Sequence, residues 1–328
     1  MVGTAAPQAV DASPPDPTGE SIMKLVPTSL MKHAAIAGLC LAAMNGARAD
    51  AFAQSVLLID NFRLLHSSGD AFKSTDFTTF FDNVSVTSTA SLNGVSSTAT
   101  IDGSTPDLAH QFVGLPTSPR AENDFAHYSA LPSVPGTFGY ADQNMTGNAV
   151  TIGSRAAGAR VETRGEASLG SDGHAGGRSD VGTQTLFQFT LGTSDSMSIS
   201  FDAKPMTQAY ASIGSGSETN AIARLDWSIN IKNATTGEMM LNYTPGQLNG
   251  DGSTSRNGHA FGTSTYDPGW LTFSARSLQL NANEMYQLTI NQSTYANAMQ
   301  KTAVPEPGSL ALFGLGLLGM SLMTRRRK

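Results

Sequence analysis

Ala221-Ile-Ala-Arg-Leu-Asp-Trp-Ser-Ile-Asn-Ile-Lys232 sets the fold class. Leu225, Trp227, Ile229 and Ile231 recur at every second position, and Arg224, Asp226, Ser228, Asn230 and Lys232 fill the alternate ones. Side chains of a strand point to opposite faces in turn, so this period of two predicts a half-buried β-strand with one apolar face. Asn233-Ala-Thr-Thr-Gly237 has turn chemistry and leads into Glu238-Met-Met-Leu-Asn-Tyr243, a second strand.

The same pattern extends outward in both directions. Ser55–Phe62 is a near-continuous apolar run, suited to a strand buried on both faces. Val84–Ala90 and Ser96–Ile101 read as strands, as do Trp270–Ala275 and Glu284–Ile290. Thr185–Leu191 puts Phe187 and Phe189 on one face, and Met197, Ile199, Phe201 and Ala203 line the next strand. Gly192-Thr-Ser-Asp195 between those two predicts that they form a hairpin. No helical period survives past residue 49. The expected fold is all-β, an antiparallel β-sandwich of jelly-roll-like form with long Gly/Ser-rich loops.

Two stretches break this pattern. Gly153–Gly182 is rich in Gly, Ala, Ser and Arg (Arg155, Arg160, Arg164, Arg178) and reads as a long loop or weak edge. Asn249–Gly258 reads as a second flexible loop. Residues 292–303 are polar and read as a mobile linker.

The two ends carry targeting chemistry. Lys24, Lys32 and His33 precede an apolar run from Ala34 to Met44, and Ala47-Arg48-Ala49 is an A-x-A cleavage site. Residues 23–49 are therefore expected to form a signal helix, cut by signal peptidase to leave Asp50 first; Ala51-Phe52-Ala53 is a second candidate site. Residues 1–22, with Asp11, Asp16 and Glu20, do not fit a signal peptide, and Met23 or Met31 is a better-placed start. At the other end, Pro305-Glu306-Pro307 precedes the apolar run Leu310–Met323 and the cations Arg325, Arg326, Arg327 and Lys328. The run spans roughly 21 Å as a helix, short of a hydrocarbon core of about 30 Å unless its flanks contribute. The basic end is expected to stay cytoplasmic and hold the chain transiently in the inner membrane. The expected organisation is a leader (1–22), a signal peptide (23–49), a β-sandwich (50–291), a linker (292–303) and a sorting tail (304–328).

Charge and cysteine narrow the chemistry. Of the 26 acidic residues, Asp11, Asp16, Glu20 and Glu306 lie outside residues 50–303, which leaves 22. Of the 20 basic residues, Lys24, Lys32, Arg48, Arg325, Arg326, Arg327 and Lys328 lie outside, which leaves 13 and a net charge of −9. That surface disfavours nucleic acid and anionic membrane as partners. Cys40 is the single cysteine and lies in the signal run, so the domain has no disulfide, thiolate metal site or cysteine nucleophile.

The order of elements from Val304 to Lys328 resembles the PEP-CTERM sorting signal, and Pro305, Glu306 and Pro307 fit its motif. The resemblance implies recognition by exosortase, a membrane cysteine protease, with release to the cell surface or extracellular matrix, often beside exopolysaccharide. Ser55–Phe62, Ile199–Ala203, Arg224–Ile229 and Tyr286–Ile290 are similar to segments of the EDSAP-type group of such surface proteins. That likeness implies a surface protein and transfers no catalytic residue.

Within the domain no constellation reads as catalytic, and no cofactor or metal is expected. His66, His110, His127, His174 and His259 lack metal-pair spacing. Asp172–Asp180 and Asn249–Ser253 offer oxygens to a calcium ion but read as solvated glycine loops. Asp202, Asp226 and Glu238 are conceivable glycosidase carboxylates, yet alternation sends them to solvent faces. Trp227 shares a face with Leu225 and Ile229 and reads as core. Trp270, preceded by Tyr266-Asp-Pro-Gly269, sits at a loop–strand junction and with Tyr266 is the candidate glycan contact. The expected function is a non-enzymatic surface or matrix protein associated with exopolysaccharide or biofilm. A carbohydrate-binding module and a secreted hydrolase are the alternatives.

Overall fold

The computed structural model describes residues 50–103, 107–181, 186–213, 218–301 and 316–317. The predicted signal helix and nearly all of the predicted membrane helix lie outside these residues. No helix among the described residues is long and apolar enough to cross a membrane.

Among the described residues, fifteen strands build two antiparallel sheets. The first sheet has seven: β1 (Ala51–Leu65), β4 (Asp107–Pro116), β5 (Gly136–Thr146), β6 (Ala159–Leu169), β9 (Asp195–Ala211), β13 (Gly262–Tyr266) and β14 (Leu271–Leu280). Its order is β4-β5-β6-β1-β9, with β13 and β14 in tandem along the far edge of β9. The second has eight: β2 (Phe77–Leu92), β3 (Val95–Gly103), β7 (Gly173–Val181), β8 (Leu186–Leu191), β10 (Glu218–Asn233), β11 (Met239–Tyr243), β12 (Thr254–Asn257) and β15 (Met285–Lys301). Its order is β11-β10-β15-β7-β2-β3, with β12 also on β10 and β8 between β15 and β2. The sheets pack face to face, as expected for a sandwich, with more strands than the eight of a jelly roll.

β10 behaves as its period of two requires. Leu225, Trp227, Ile229 and Ile231 are buried, and β10 pairs with β11 through the predicted turn. The hairpin of β2 and β3 closes on Asn93 and Gly94, both at positive φ, as a two-residue turn demands.

The interior has two unlike halves. At one end Leu57, Phe62, Phe72, Phe189, Phe201, Trp227 and Tyr286 fill the space between the sheets. At the other, the facing side chains are Ala51, Ala53, Ala167, Ala209 on one sheet and Ala175, Ala221, Ala223, Ala296 and Ala298 on the second. Small residues let the sheets approach until backbones touch. A Cβ on Gly177 of β7 would be driven into the Tyr140 carbonyl of β5 and would stand 2.5 Å from Glu166 N of β6. Close packing therefore makes glycine obligatory there.

Four expectations are corrected. Gly153–Gly182 holds β6 and β7, each central to its sheet; alternation of glycine and alanine with polar residues concealed two buried strands. Residues 292–301 are the second half of β15, not a linker. Gln292, Thr294, Ala296, Ala298 and Gln300 alternate inward, and the strand lies between β10 and β7. Leu186–Leu191 and Asp195–Ala211 do not pair; β8 joins β15 and β2, whereas β9 joins β1, so the Gly192 turn crosses between sheets. The Asn249 stretch is also ordered, as two 3-10 turns (Gly246–Leu248, Gly250–Gly252) followed by β12.

Candidate functional site

Part of the outer face of the first sheet, over β1, β5 and β6, is covered. Residues 117–135, between β4 and β5, cross it as a strap of irregular chain. Irregular backbone needs polar partners wherever it excludes water. The sheet supplies them from buried positions. Gln54 accepts from Tyr128 N (2.9 Å) and donates to the Ala126 carbonyl (3.3 Å). Asp142 accepts from Asn123 N and the Tyr140 hydroxyl, both at 2.8 Å. Arg164 donates to the Asp124 carbonyl and pairs with Glu166, which also takes Arg120 of the strap. Burial pushes the Asp142 carboxyl up to about 6, although the Tyr140 hydroxyl bond opposes it. Burial also raises the Tyr140 phenol. The arginines that suggested a loop in the sequence are in part this fastening.

Beside the strap lies a polar pocket of about 500 Å³. Its floor is Leu58, Met206, Lys204, Arg160 and Glu162, and its walls are Asn123, Phe125, Ala126 and His127 of the strap and Asp267. Arg160 and Glu162 form an ion pair at 2.6 Å. Burial raises the Glu162 carboxyl, with Arg160 opposing. Burial lowers the His127 imidazole; Asp267 opposes this and Lys204 reinforces it, so the ring is neutral near pH 7. Its Nε2 is buried without a hydrogen-bond partner among the described residues.

The exposed tryptophan lies on the segment that supplies Asp267 to this pocket. β13 pairs with Thr207–Ala211 and β14 with Asp195–Ala203, so residues 267–270 bridge the gap opposite Lys204, Pro205 and Met206. Pro205 has no N–H to give a ladder at that point. The bridging segment leaves the sheet, sends Asp267 into the pocket and leaves Trp270, three residues on, 54% exposed. Tyr266 is turned elsewhere; a Cβ on Gly252 would sit 3.4 Å from its Cε1. Trp227 is core, as its strand position required.

The remaining candidates are dispersed. His66 Nδ1 lies 2.8 Å from Asp195 and Nε2 3.0 Å from Asp76, a clamp joining the end of β1 to two crossovers. His110 pairs with Glu122, and His174 Nε2 meets Asn297 at 2.9 Å. Among the described residues no three His, Cys, Asp or Glu stand together as a metal site. Asp202 lies on the outer face of the first sheet, bonded to Thr272 (2.7 Å), while Asp226 lies on the outer face of the second, so the two are not one catalytic pair. Asp172 precedes β7, whereas Asp180 lies within it and pairs with Arg178 at 2.6 Å.

Ala47, Ala49, Pro305, Glu306, Pro307 and Arg325–Lys328 lie outside the described residues. Of these, Pro305, Glu306, Pro307 and Arg325–Lys328 fall within a stretch identified by comparison. Residues 303–328 match the family model of the PEP-CTERM protein-sorting motif. The match does not extend to the β segments that carry the EDSAP-type likeness. No curated protein and no solved structure matches the chain. At its C-terminus, then, the chain carries a PEP-CTERM sorting motif, the address of an exported protein processed by exosortase.

Proposed function

We propose that this chain is a non-enzymatic, EDSAP-type surface or matrix component, delivered by exosortase and associated with exopolysaccharide. The observation that carries the proposal is the sorting motif at residues 303–328. Signal peptidase would cut after Ala49, and Leu310–Met323 would hold the inner membrane until the tail is removed. The start of the fold supports that first cut. β1 begins at Ala51, and Ala51, Phe52 and Ala53 are fully buried, so cleavage after Ala53 would strip core residues. Asp50 N–H is 2.5 Å from Ser212 Oγ, which fastens the first residue left by a cut after Ala49.

The end of β15 sets a distance. Lys301 is four residues before Pro305, at most about 14 Å of extended chain. The sandwich would therefore be held close to the protease rather than on a long tether. Deleting Pro305–Pro307 should leave the protein in the membrane fraction; unchanged release to the medium would refute exosortase sorting.

A second reading, glycan binding, is favoured by exposed Trp270 on the same segment as Asp267, which lines a pocket of charged and amide groups. Sugar rings stack on aromatic faces while their hydroxyls take polar partners. Trp270→Ala should abolish retention on the host's own exopolysaccharide, and equal retention of both proteins would exclude this surface.

A further inference from the structure

We propose that the thick end of the sandwich is a binding site for a small, uncharged or cationic hydrophobic molecule, about one six-membered ring in size. A cavity of about 120 Å³ lies between the sheets there. Phe62, Phe187, Trp227, Leu288 and Ile290 line its depth, and Phe80 and Val84 of β2 line its side. Cavities of this size with apolar walls stay dry and accept single aromatic rings, because water would find too few partners inside. The size excludes larger occupants. The chain's own apolar tail, Leu310–Met323, is a helix's worth of side chains and cannot enter.

The cavity follows from the fold. At the opposite end alanine and glycine bring the sheets into backbone contact, whereas here aromatic side chains hold them apart. Two sheets wedged open at one end leave space where the strands of one sheet stop short. β5 stops at Thr146, and residues 147–152 rather than a strand face β2. Asp82 and Ile152 are exposed at this rim, and Asn148 is half-buried.

Charge selects among ligands. The lining contains one carboxylate, Asp82, and no lysine or arginine. An anionic head group would meet an uncompensated negative charge at the mouth, while a neutral or cationic one would not. Gln292, at the inner wall, already donates to the Leu57 carbonyl (3.2 Å) and Thr163 Oγ1 (3.0 Å), so it asks nothing of the occupant.

Trp227 makes the site observable. The chain has two tryptophans, so Trp270→Phe leaves Trp227, which lines the cavity, as sole reporter. The probes are toluene, benzylamine and benzoate. Toluene and benzylamine should change Trp227 emission saturably, and at about 100 times Kd should raise Tm by roughly 5–10 °C. Benzoate should bind at least tenfold more weakly, and Asp82→Asn should remove that difference without affecting folding, since Asp82 is exposed. Ala159→Leu, which fills the cavity, should abolish the toluene response; Val161→Leu is a second filling variant should the first not fold. Absence of a saturable response to toluene, an unchanged response in a folded filled variant, or equal binding of benzoate and benzylamine would each overturn the proposal.

Discussion

The carboxamide of Asn249 takes the place of a missing strand beside Trp227. Its Oδ1 accepts from Trp227 N (3.0 Å), and its Nδ2 donates to the Trp227 carbonyl (2.9 Å). β12 pairs with β10 at Asn220–Ala223 and β11 pairs at Ile229–Lys232, so this edge of β10 is without a strand partner between them. Nδ2 also reaches the Pro245 carbonyl (2.8 Å), which ties the two 3-10 turns to the sheet.

Asn249→Ala leaves the Trp227 N–H and carbonyl without these bonds on a largely buried edge. The expected destabilisation is about 2–3 kcal/mol, from lost bonds and unmet desolvation. Urea unfolding would measure it, and hydrogen exchange at the Trp227 amide should accelerate while that of Ile229, still paired to β11, does not.

Gly177→Ala should destabilise by about 3 kcal/mol or more, at or above the usual range for overpacking, because the obstacles are backbone atoms that cannot rotate away. Gly250→Ala is the control: nothing lies within 4 Å of a Cβ there and its φ is not positive. Its effect should stay within about 0.5 kcal/mol. Equal midpoints for the two variants would contradict the close approach of β7 to β5 and β6.

Arg164→Met removes a cation from a buried group in which Glu166 is fully buried between two arginines. Breaking such a pair costs about 3–5 kcal/mol, since a carboxylate is left less compensated. The strap should loosen with it, because Arg164 also holds the Asp124 carbonyl. Proteolysis within 117–135 would report this ahead of global unfolding.

The His66 clamp predicts a pH dependence. Burial alone would lower the imidazole, but its bonds to Asp195 and Asp76 outweigh burial and raise its pKa above 6.5. Asp76 and Asp195 are lowered from 3.8; burial opposes this, but the Lys73 N–H and His66 prevail at Asp76, and the Ser67 side chain, His66 and the Ser196 N–H prevail at Asp195. A raised histidine contributes fully below its unfolded pKa and loses that contribution as pH rises through the folded value. The lowered carboxylates contribute above their unfolded pKa and lose it as pH falls. The clamp is thus strongest between roughly pH 4 and 6.5. The urea midpoint should fall from about pH 6 to about pH 8 in the wild type, and less in His66→Gln.

How far the sequence could be read depended on what each strand packs against. β10, β2 and β3 were legible because apolar and polar side chains alternate against one wet face. β6 and β7 were not, because their inward residues are Gly165, Ala167, Ala175 and Gly177, and small residues carry little apolar contrast. On β6 the outer residues Glu162, Arg164 and Glu166 look solvent-facing, yet a strap from elsewhere in the chain buries them. The glycan candidate was half legible. A loop–strand junction suggested Trp270, but Lys204, Glu162, His127 and Asp267 come from four separate segments, and no local spacing announces them.

By itself the sequence determined the β class, the strand at 221–232 and the sorting address at 303–328. Those properties are local: a period of two or an ordered run of residue types needs no distant partner. Tertiary structure alone decided that the Gly192 turn crosses between sheets, that residues 292–301 are a central strand, and that alanine closes one end of the sandwich while aromatics hold the other open. Each depends on which surfaces meet across hundreds of residues, and turn chemistry is the same whether a chain folds back within its own sheet or crosses to the other.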